Sequence, residues 1–474
     1  QASDDAMMQL FKILKDRGSI SEQEYASLTV LANKDKKKEV QVIESVVAQK
    51  TTPEPELSEF EERLEKDESL LASIDERLLD VDDILDDTAA AVDKALEGKW
   101  YEHLDIGGYT QFRYHRLMDD EGVLLNHPAD RSINENEGFL IRRGRFKISG
   151  DLTDHLYLYS QFDYAASVFG SGGTSGLQSR DLYGDISVDT NHVYRFRVGQ
   201  SKVPFGFVNL QSSQNRAPFE RPDALNSAVE GERDIGAYFM YTPVEIRKRF
   251  KELVKTGLKG SGDYGMLTVG AYNGQGLNRS DLNDSPHVVA RASYPFKFAN
   301  GQFFEASVQA YKGTFVPTAT AIRVNRTTTV TPTFDLGGVD DTRVGVSAVL
   351  YPQPFGIEAE WNWGEGPELS SNFRTIEAAS LNGGYVMANC KLDDGELFPF
   401  VRWNYYDGNR KFATNAPATK VNEIDIGMEW SPWKEVELSL MYTHTAERTN
   451  TAVPNYQIDA AGADRIGFQV QWNY

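Results

Sequence analysis

The chain has 474 residues, 49 Lys and Arg against 70 Asp and Glu, a formal charge of −21 and one cysteine. One cysteine excludes a disulfide framework and a cysteine-rich zinc or iron–sulfur site. The acidic balance argues against a nucleic-acid binder, which would carry a basic patch or stripe. No run of 18 apolar residues exists, so a transmembrane helix is excluded; the length admits two to four ordinary domains or one large barrel with an appendage. The chain opens on Gln1, as expected of a processed form whose signal peptide has been removed.

Composition changes near residue 100. Residues 1–100 hold 2 of the 39 glycines and 2 of the 18 prolines, and most of their charge is acidic. That part reads as helical and the remainder as all-β. Residues 1–50 are expected to form a helical hairpin over 4–31 followed by a polar linker. Met7, Leu10, Phe11 and Leu14 make a helical stripe, Gly18 suits a helix end, and Ser21 with Glu24 forms a capping box.

Residues 51–99 read as a coiled coil. Leu57, Leu64, Leu71, Leu78, Leu85 and Val92 fall at a, and Phe60, Asp67, Ile74, Val81, Thr88 and Ala95 at d. Leu at a with β-branched residues at d leans toward three or four strands. The expected core is Leu57, Leu64, Leu71, Ile74, Leu78, Val81 and Leu85, with Asp67 setting register. A single amphipathic helix docked on the following domain is the alternative.

Residues 100–474 alternate apolar and polar over segments of about ten residues, the pattern of a transmembrane β-barrel. In the last segment Ile466, Phe468, Val470, Trp472 and Tyr474 share one face, and Arg465, Gln469, Gln471 and Asn473 the other. Tryptophans near segment ends (Trp361, Trp363, Trp403, Trp430, Trp433, Trp472) suit interfacial girdles. Sixteen strands are expected: 104–116, 138–149, 156–165, 180–189, 194–206, 233–243, 264–274, 286–296, 302–313, 341–351, 355–365, 380–391, 396–406, 422–431, 435–445 and 464–474. Long connections (117–137, 166–179, 207–232, 275–285, 314–340, 366–379, 407–421, 446–463) then fall on one rim and tight turns on the other. The exception is 244–263, with its basic run Arg247, Lys248, Arg249, Lys251 and a strand-like Leu253–Leu258. It is expected to be a long turn or a hairpin extension, because counting it as a strand would break the even parity of single-chain barrels.

Several stretches resemble the phosphate-selective porin O and P family. They are Phe139–Leu152 (FLIRRGRFKISGDL), Val198–Gly206 (VGQSKVPFG), Glu220-Arg221, Arg233–Gly236 (RDIG) and Asn273–Asn278 (NGQGLN). The resemblance covers roughly 101–474, and the N-terminal coiled coil is similar to the dicarboxylate-type branch. It implies a 16-stranded barrel, a homotrimer in a Gram-negative outer membrane with the coiled coil in the periplasm, and a third long loop, here 207–232, folded into the pore as a constriction.

With Phe146, Ile148, Phe196 and Val198 facing lipid, Arg113, Arg143, Arg145, Lys147, Arg195 and Arg197 face the lumen. A cation on the lipid face near the midplane would cost roughly 2–4 kcal/mol. Lys202 has the wrong parity, so it is either re-aimed by a bulge or sits at the rim. The loop and its neighbours add Arg216, Glu220, Arg221, Asp223 and Arg233. Glu305, Glu358, Glu360, Glu423, Asp425, Glu429 and Glu437 form an acidic wall on predicted inward positions.

Two readings stay open: a porin for small anionic solutes of phosphate or dicarboxylate type, and a weakly selective general or sugar porin tethered to peptidoglycan or periplasmic proteins through its coiled coil. No enzyme is expected, since no Ser-His-Asp triad can be placed. The seven histidines lack zinc-like spacing and Asp281–Asp284 lacks calcium-loop spacing, so no metal or cofactor is expected. The expected partners are outer-membrane lipid, copies of the chain and small anions.

Overall fold

The computed structural model describes residues 103–118, 125, 138–165, 176–452 and 456–474. The helical hairpin and the heptad segment lie outside the described residues. The described part is a closed antiparallel barrel.

The first nine strands are β1 (Asp105–Leu117), β2 (Gly138–Thr153), β3 (Leu156–Tyr164), β4 (Leu177–Ser187), β5 (Tyr194–Lys202), β6 (Arg233–Tyr241), β7 (Leu267–Tyr272), β8 (His287–Lys297) and β9 (Phe303–Phe315). Two short strands, β10 (Ile322–Arg323) and β11 (Thr329–Val330), form a separate hairpin inside one long connection. The wall continues with β12 (Val339–Leu350), β13 (Phe355–Leu369), β14 (Ile376–Cys390), β15 (Leu397–Asn409), β16 (Ala418–Trp433), β17 (Val436–Ala452) and β18 (Tyr456–Asn473). Each barrel strand pairs with its sequence neighbours, and β18 closes on β1 with Phe112 opposite Val470. All sixteen expected strands are present. The strands from β13 onward run further toward the long-connection rim than the sequence pattern suggested, for example β13 to Leu369 and β16 from Ala418.

Burial is inverted relative to a water-soluble fold. Phe139, Val269, Ile357, Ile426 and Leu440 are exposed on the outer wall, whereas Arg113, Gln309, Asn362 and Asn404 are buried inside. Period-2 alternation between lipid and lumen produces this directly. Trp361, Trp403 and Tyr405 stack at centroid separations of 5.9–6.3 Å as part of an aromatic cluster on the outer face.

The connection at 242–266 corrects the expectation of a turn or hairpin extension. It contains α3 (Val244–Lys255), preceded in the chain by two one-turn helices, α1 (Phe207–Leu210) and α2 (Asp223–Asn226). In α3, Ile246, Phe250 and Leu253 recur at helical spacing and are buried. Leu253 and Leu258 pack with Phe207, Phe303, Val349 and Tyr351.

Candidate functional site: the infolded loop and the lumen beside it

The connection 203–232 folds into the barrel, and almost all of it is buried. Val203, Phe205, Val208, Phe219, Leu225 and Val229 join a core with Tyr238, Met240, Met387, Phe398, Phe400 and Met441. These last residues occupy inward wall positions that an aqueous lumen would leave polar; here they seat the loop. A wall glycine makes room for it: a Cβ on Gly467 would meet Phe219 Cε2 at 2.5 Å.

Charged pairs fix the loop near its middle and at its C-terminal end. Glu220 accepts from Arg113 Nη1 (3.0 Å), Arg142 Nε (2.7 Å) and Arg143 Nη2 (2.6 Å). Glu232 meets Arg221 Nε at 3.0 Å, Arg233 Nη1 at 2.5 Å, Arg180 Nη2 at 3.5 Å and Arg216 Nη2 at 3.8 Å. Burial alone would raise Glu220, but Arg142, Arg143 and Arg113 hold it well below the usual carboxylate range. Glu232 is likewise held well below it, chiefly by Arg221, Arg233 and Lys202 against the effect of burial. Burial and the neighbouring Arg143 and Arg221 lower Arg216 to about 9.

All six expected lumen cations lie on the inner side. Arg113, Arg143, Arg145, Arg195 and Arg197 are buried, and Lys147 is half-buried. Most are already engaged. Arg145 Nε reaches Asp163 (3.1 Å), Arg197 makes two bonds to Asp185 (2.7 and 2.8 Å), and Arg195 Nη2 reaches Asp263 (2.7 Å). Arg233 Nη2 lies 2.8 Å from Asp181. Lys202 is re-aimed rather than left at the rim. Burial stops alternating at Gly199, whose φ is 119°, and the Lys202 ammonium donates to the Leu210 and Gln211 carbonyls, each at 2.9 Å. Asp223 opens α2 and is buried.

Strict alternation missed two arginines. Arg142 and Arg180 sit at register shifts, where Gln111 pairs with Arg143 but Phe112 with Ile141, and Gln161 pairs with Asp181 but Phe162 with Ser179. A β-bulge inserts one extra residue and re-aims it, so each side chain reaches a loop glutamate. The doubled Arg142-Arg143 in an alternating strand was the available signal.

The acidic wall is also inside, but the loop and the short-turn-side connection cover much of it. Glu360 accepts from the Phe207 and Val208 amides (2.8 and 3.2 Å) at the start of α1. Asp425 pairs with Arg402 (2.7 Å), whose Nη1 donates to the Glu220 carbonyl (2.8 Å). Glu429 pairs with Lys259 (2.6 Å), and Glu358 accepts from the Tyr385 hydroxyl. Glu423 accepts from Asn404 (3.0 Å) and Thr445 (2.7 Å), and Glu305 from Ser293 (2.7 Å) and Tyr351 (2.7 Å).

A cavity of about 510 Å³ remains on the opposite side of the lumen, between β2–β5, residues 210–215, α3 and residues 260–264. Its lining includes Arg145, Lys147, Arg195, Arg197, Tyr159, Tyr183 and Tyr264. Tyr159 and Tyr183 stack at 5.2 Å, and the Arg197 guanidinium lies 3.9 Å over the Tyr183 ring.

A closed barrel with an apolar exterior, a charged interior and one long connection folded into the lumen is the architecture of an outer-membrane channel of the porin class. The sequence matches the phosphate-selective porin O and P family over residues 118–472, and the chain belongs to that family. No match is found among curated proteins. Among solved structures it is similar to the outer membrane channel DcaP of Acinetobacter baumannii (14% identity, TM-score 0.49, covering 78% of this chain and 97% of that one). It is also similar to the trimer form of OmpT of Vibrio cholerae (11%, 0.47, 78% and 99%) and to an anion-selective porin from Comamonas acidovorans (10%, 0.46, 78% and 99%).

Proposed function

We propose that this chain is a homotrimeric porin of the Gram-negative outer membrane that passes small hydrophilic anions, of phosphate or dicarboxylate type, by passive diffusion. One observation carries the reading: the cavity beside the loop is lined by eight arginines and lysines against four aspartates. The opposing acidic wall is largely taken up in holding the loop and the short-turn-side connection. A permeant ion therefore travels along the basic side. Enclosed walls of one sign focus the field and raise the local concentration of counter-ions. The loop narrows the path, and no bond chemistry is involved.

The heptad segment 51–99 is assigned a trimerising role in the periplasm, with Leu57, Leu64, Leu71, Ile74, Leu78, Val81 and Leu85 as its core. Residues 1–50 extend it toward peptidoglycan or periplasmic proteins. A weakly selective pore is the second reading, favoured by the pairing of Arg145, Arg195, Arg197 and Arg233 with aspartates. The zero-current potential of the purified protein in a planar bilayer under a potassium chloride gradient separates the two. Chloride preference supports the anion reading; a near-zero or cation-preferring potential replaces it with the second, and an absence of channels removes both.

A further inference from the structure

We propose that α3 is a second selectivity element, a basic lip that controls anion passage at the short-turn mouth of the channel. The inference rests on the channel reading above, but not on the sign of its net selectivity. Arg247, Lys251 and Val254 recur at helical spacing and line the cavity, while the adjacent stripe Ile246, Phe250, Leu253 is buried against the rest of the protein. One face anchors the helix; on the neighbouring face Arg247 lies 3.9 Å from Asp263 and Lys251 is the exposed cation at the cavity.

The helix is held from several directions. Arg247 Nη1 donates to the His192 carbonyl (2.9 Å) in the β4–β5 turn, and Arg249 Nη1 to the Pro295 carbonyl (3.1 Å) on β8. Lys391 Nζ donates to the Thr256 carbonyl (2.6 Å) just beyond its end. The same connection touches the infolded loop, where Gln211 Nε2 donates to the Lys259 carbonyl (2.7 Å). Two elements entering from opposite rims therefore brace each other across the lumen.

Lys251 is exposed where it lines the cavity and Lys147 on the β2 wall is half-buried, and neither side chain has an ion-pair or hydrogen-bond partner among the described residues. Within the lining, Asp181, Asp185 and Asp263 are each paired with an arginine, which leaves Asp151 as the lining acid outside these ion pairs. A volume of about 510 Å³ corresponds to a sphere roughly 10 Å across, matching the screening length of about 10 Å at 0.1 M salt. The Lys251 charge is thus felt across the cavity beside the loop.

The test is Lys251→Cys in the full chain, in a planar bilayer, with charged methanethiosulfonate reagents. The native Cys390 is buried, and the unsubstituted protein serves as control. A sulfonate reagent in the short-turn-side chamber is expected to lower the chloride-to-potassium permeability ratio by roughly twofold. An ammonium reagent should restore the unsubstituted ratio, and either should act faster from that chamber than from the other. Lys251→Gln, which tolerates an exposed position, gives the intermediate ratio if the cysteine variant fails to assemble. A ratio indifferent to both reagents, or to Lys251→Gln, overturns the proposal. A cation-preferring pore in which the reagents still shift the ratio in opposite directions overturns the anion reading and supports the lip.

Discussion

Arg142 Nε lies 2.7 Å from Glu220 Oε1, a contact made possible because Arg142 is the extra residue of a β-bulge. In a regular strand the side chains of Arg142 and Arg143 would point to opposite faces. Here both reach the same carboxylate, with Arg113 from the adjacent strand completing the set. Arg180 repeats the device at the C-terminal end of the loop against Glu232. The wall is locally distorted so that more charge meets the loop than alternation permits.

Glu220→Gln should therefore unfasten the loop while leaving the barrel intact. The substitution removes one buried charge and leaves three guanidiniums without compensation, a loss of about 3–5 kcal/mol. The expected result is a folded, heat-modifiable porin with higher conductance and noisier open-channel current in a bilayer. Unchanged conductance and noise would mean that the apolar contacts of Phe219 and Leu225 hold the loop unaided.

Much of this molecule was legible because the membrane forces a strict rule. Lipid outside and charge inside make period 2 unavoidable, so all sixteen strands and the inward positions of Arg145, Lys147 and Arg197 followed from alternation. What escaped was whatever departs from period 2. Arg142 and Arg180 sit at bulges, where parity slips by one. In α3, Ile246, Phe250 and Leu253 stand four and three residues apart, a helical spacing masked by the strand-like stretch Leu253–Leu258. The partners of the lumen charges also lay beyond reach, because a strand pattern says which face a residue takes and not which loop carboxylate meets it.

Arg216 should matter more for selectivity than Arg143. Arg143 is committed to Glu220 and to the Gln111 amide oxygen (2.7 Å). The Arg216 guanidinium has no hydrogen-bond partner among the described residues, and its acidic neighbour Glu232 is 3.8 Å away. Arg216→Gln is expected to lower the chloride-to-potassium permeability ratio by roughly twofold, whereas Arg143→Gln chiefly changes conductance and noise. Reversal potentials measured in parallel decide it; equal shifts from the two variants would place the selective charge elsewhere.

Lys259 ties the short-turn-side connection to the far wall through Glu429, at 2.6 Å and largely buried. Removing one partner of such a pair strands the other. Lys259→Met should cost about 3–5 kcal/mol, seen as a lower melting temperature in detergent. The double variant Lys259→Met with Glu429→Gln should recover much of that loss. No recovery would mean that the contact of Lys259 with the Phe398 ring, 5.0 Å away, outweighs the ion pair.

The loop anchors should also be resistant to moderate acid. Glu220 and Glu232 are both held well below their ordinary value of 4.5 by the surrounding guanidiniums, with Lys202 adding to the field at Glu232. A carboxyl whose folded-state value is depressed stabilises the fold fully above its unfolded value, and that stabilisation is lost as pH falls through the folded value. Between pH 7 and 5 both groups stay ionised in the folded state and only begin to protonate in the unfolded one, so conductance should be flat and melting temperature nearly so as far as these two residues are concerned. Below about 4.5 the unfolded chain takes up protons that the folded loop refuses, and stability declines. Other buried carboxyls titrate as well, so the comparison must be between the unsubstituted protein and the double variant Glu220→Gln, Glu232→Gln. The gap between their melting temperatures is expected to hold from pH 7 to 5 and to narrow as pH falls below 4.5. A gap that already closes between pH 7 and 5 would mean that the guanidiniums do not stabilise these carboxylates, and that the loop is held by packing alone.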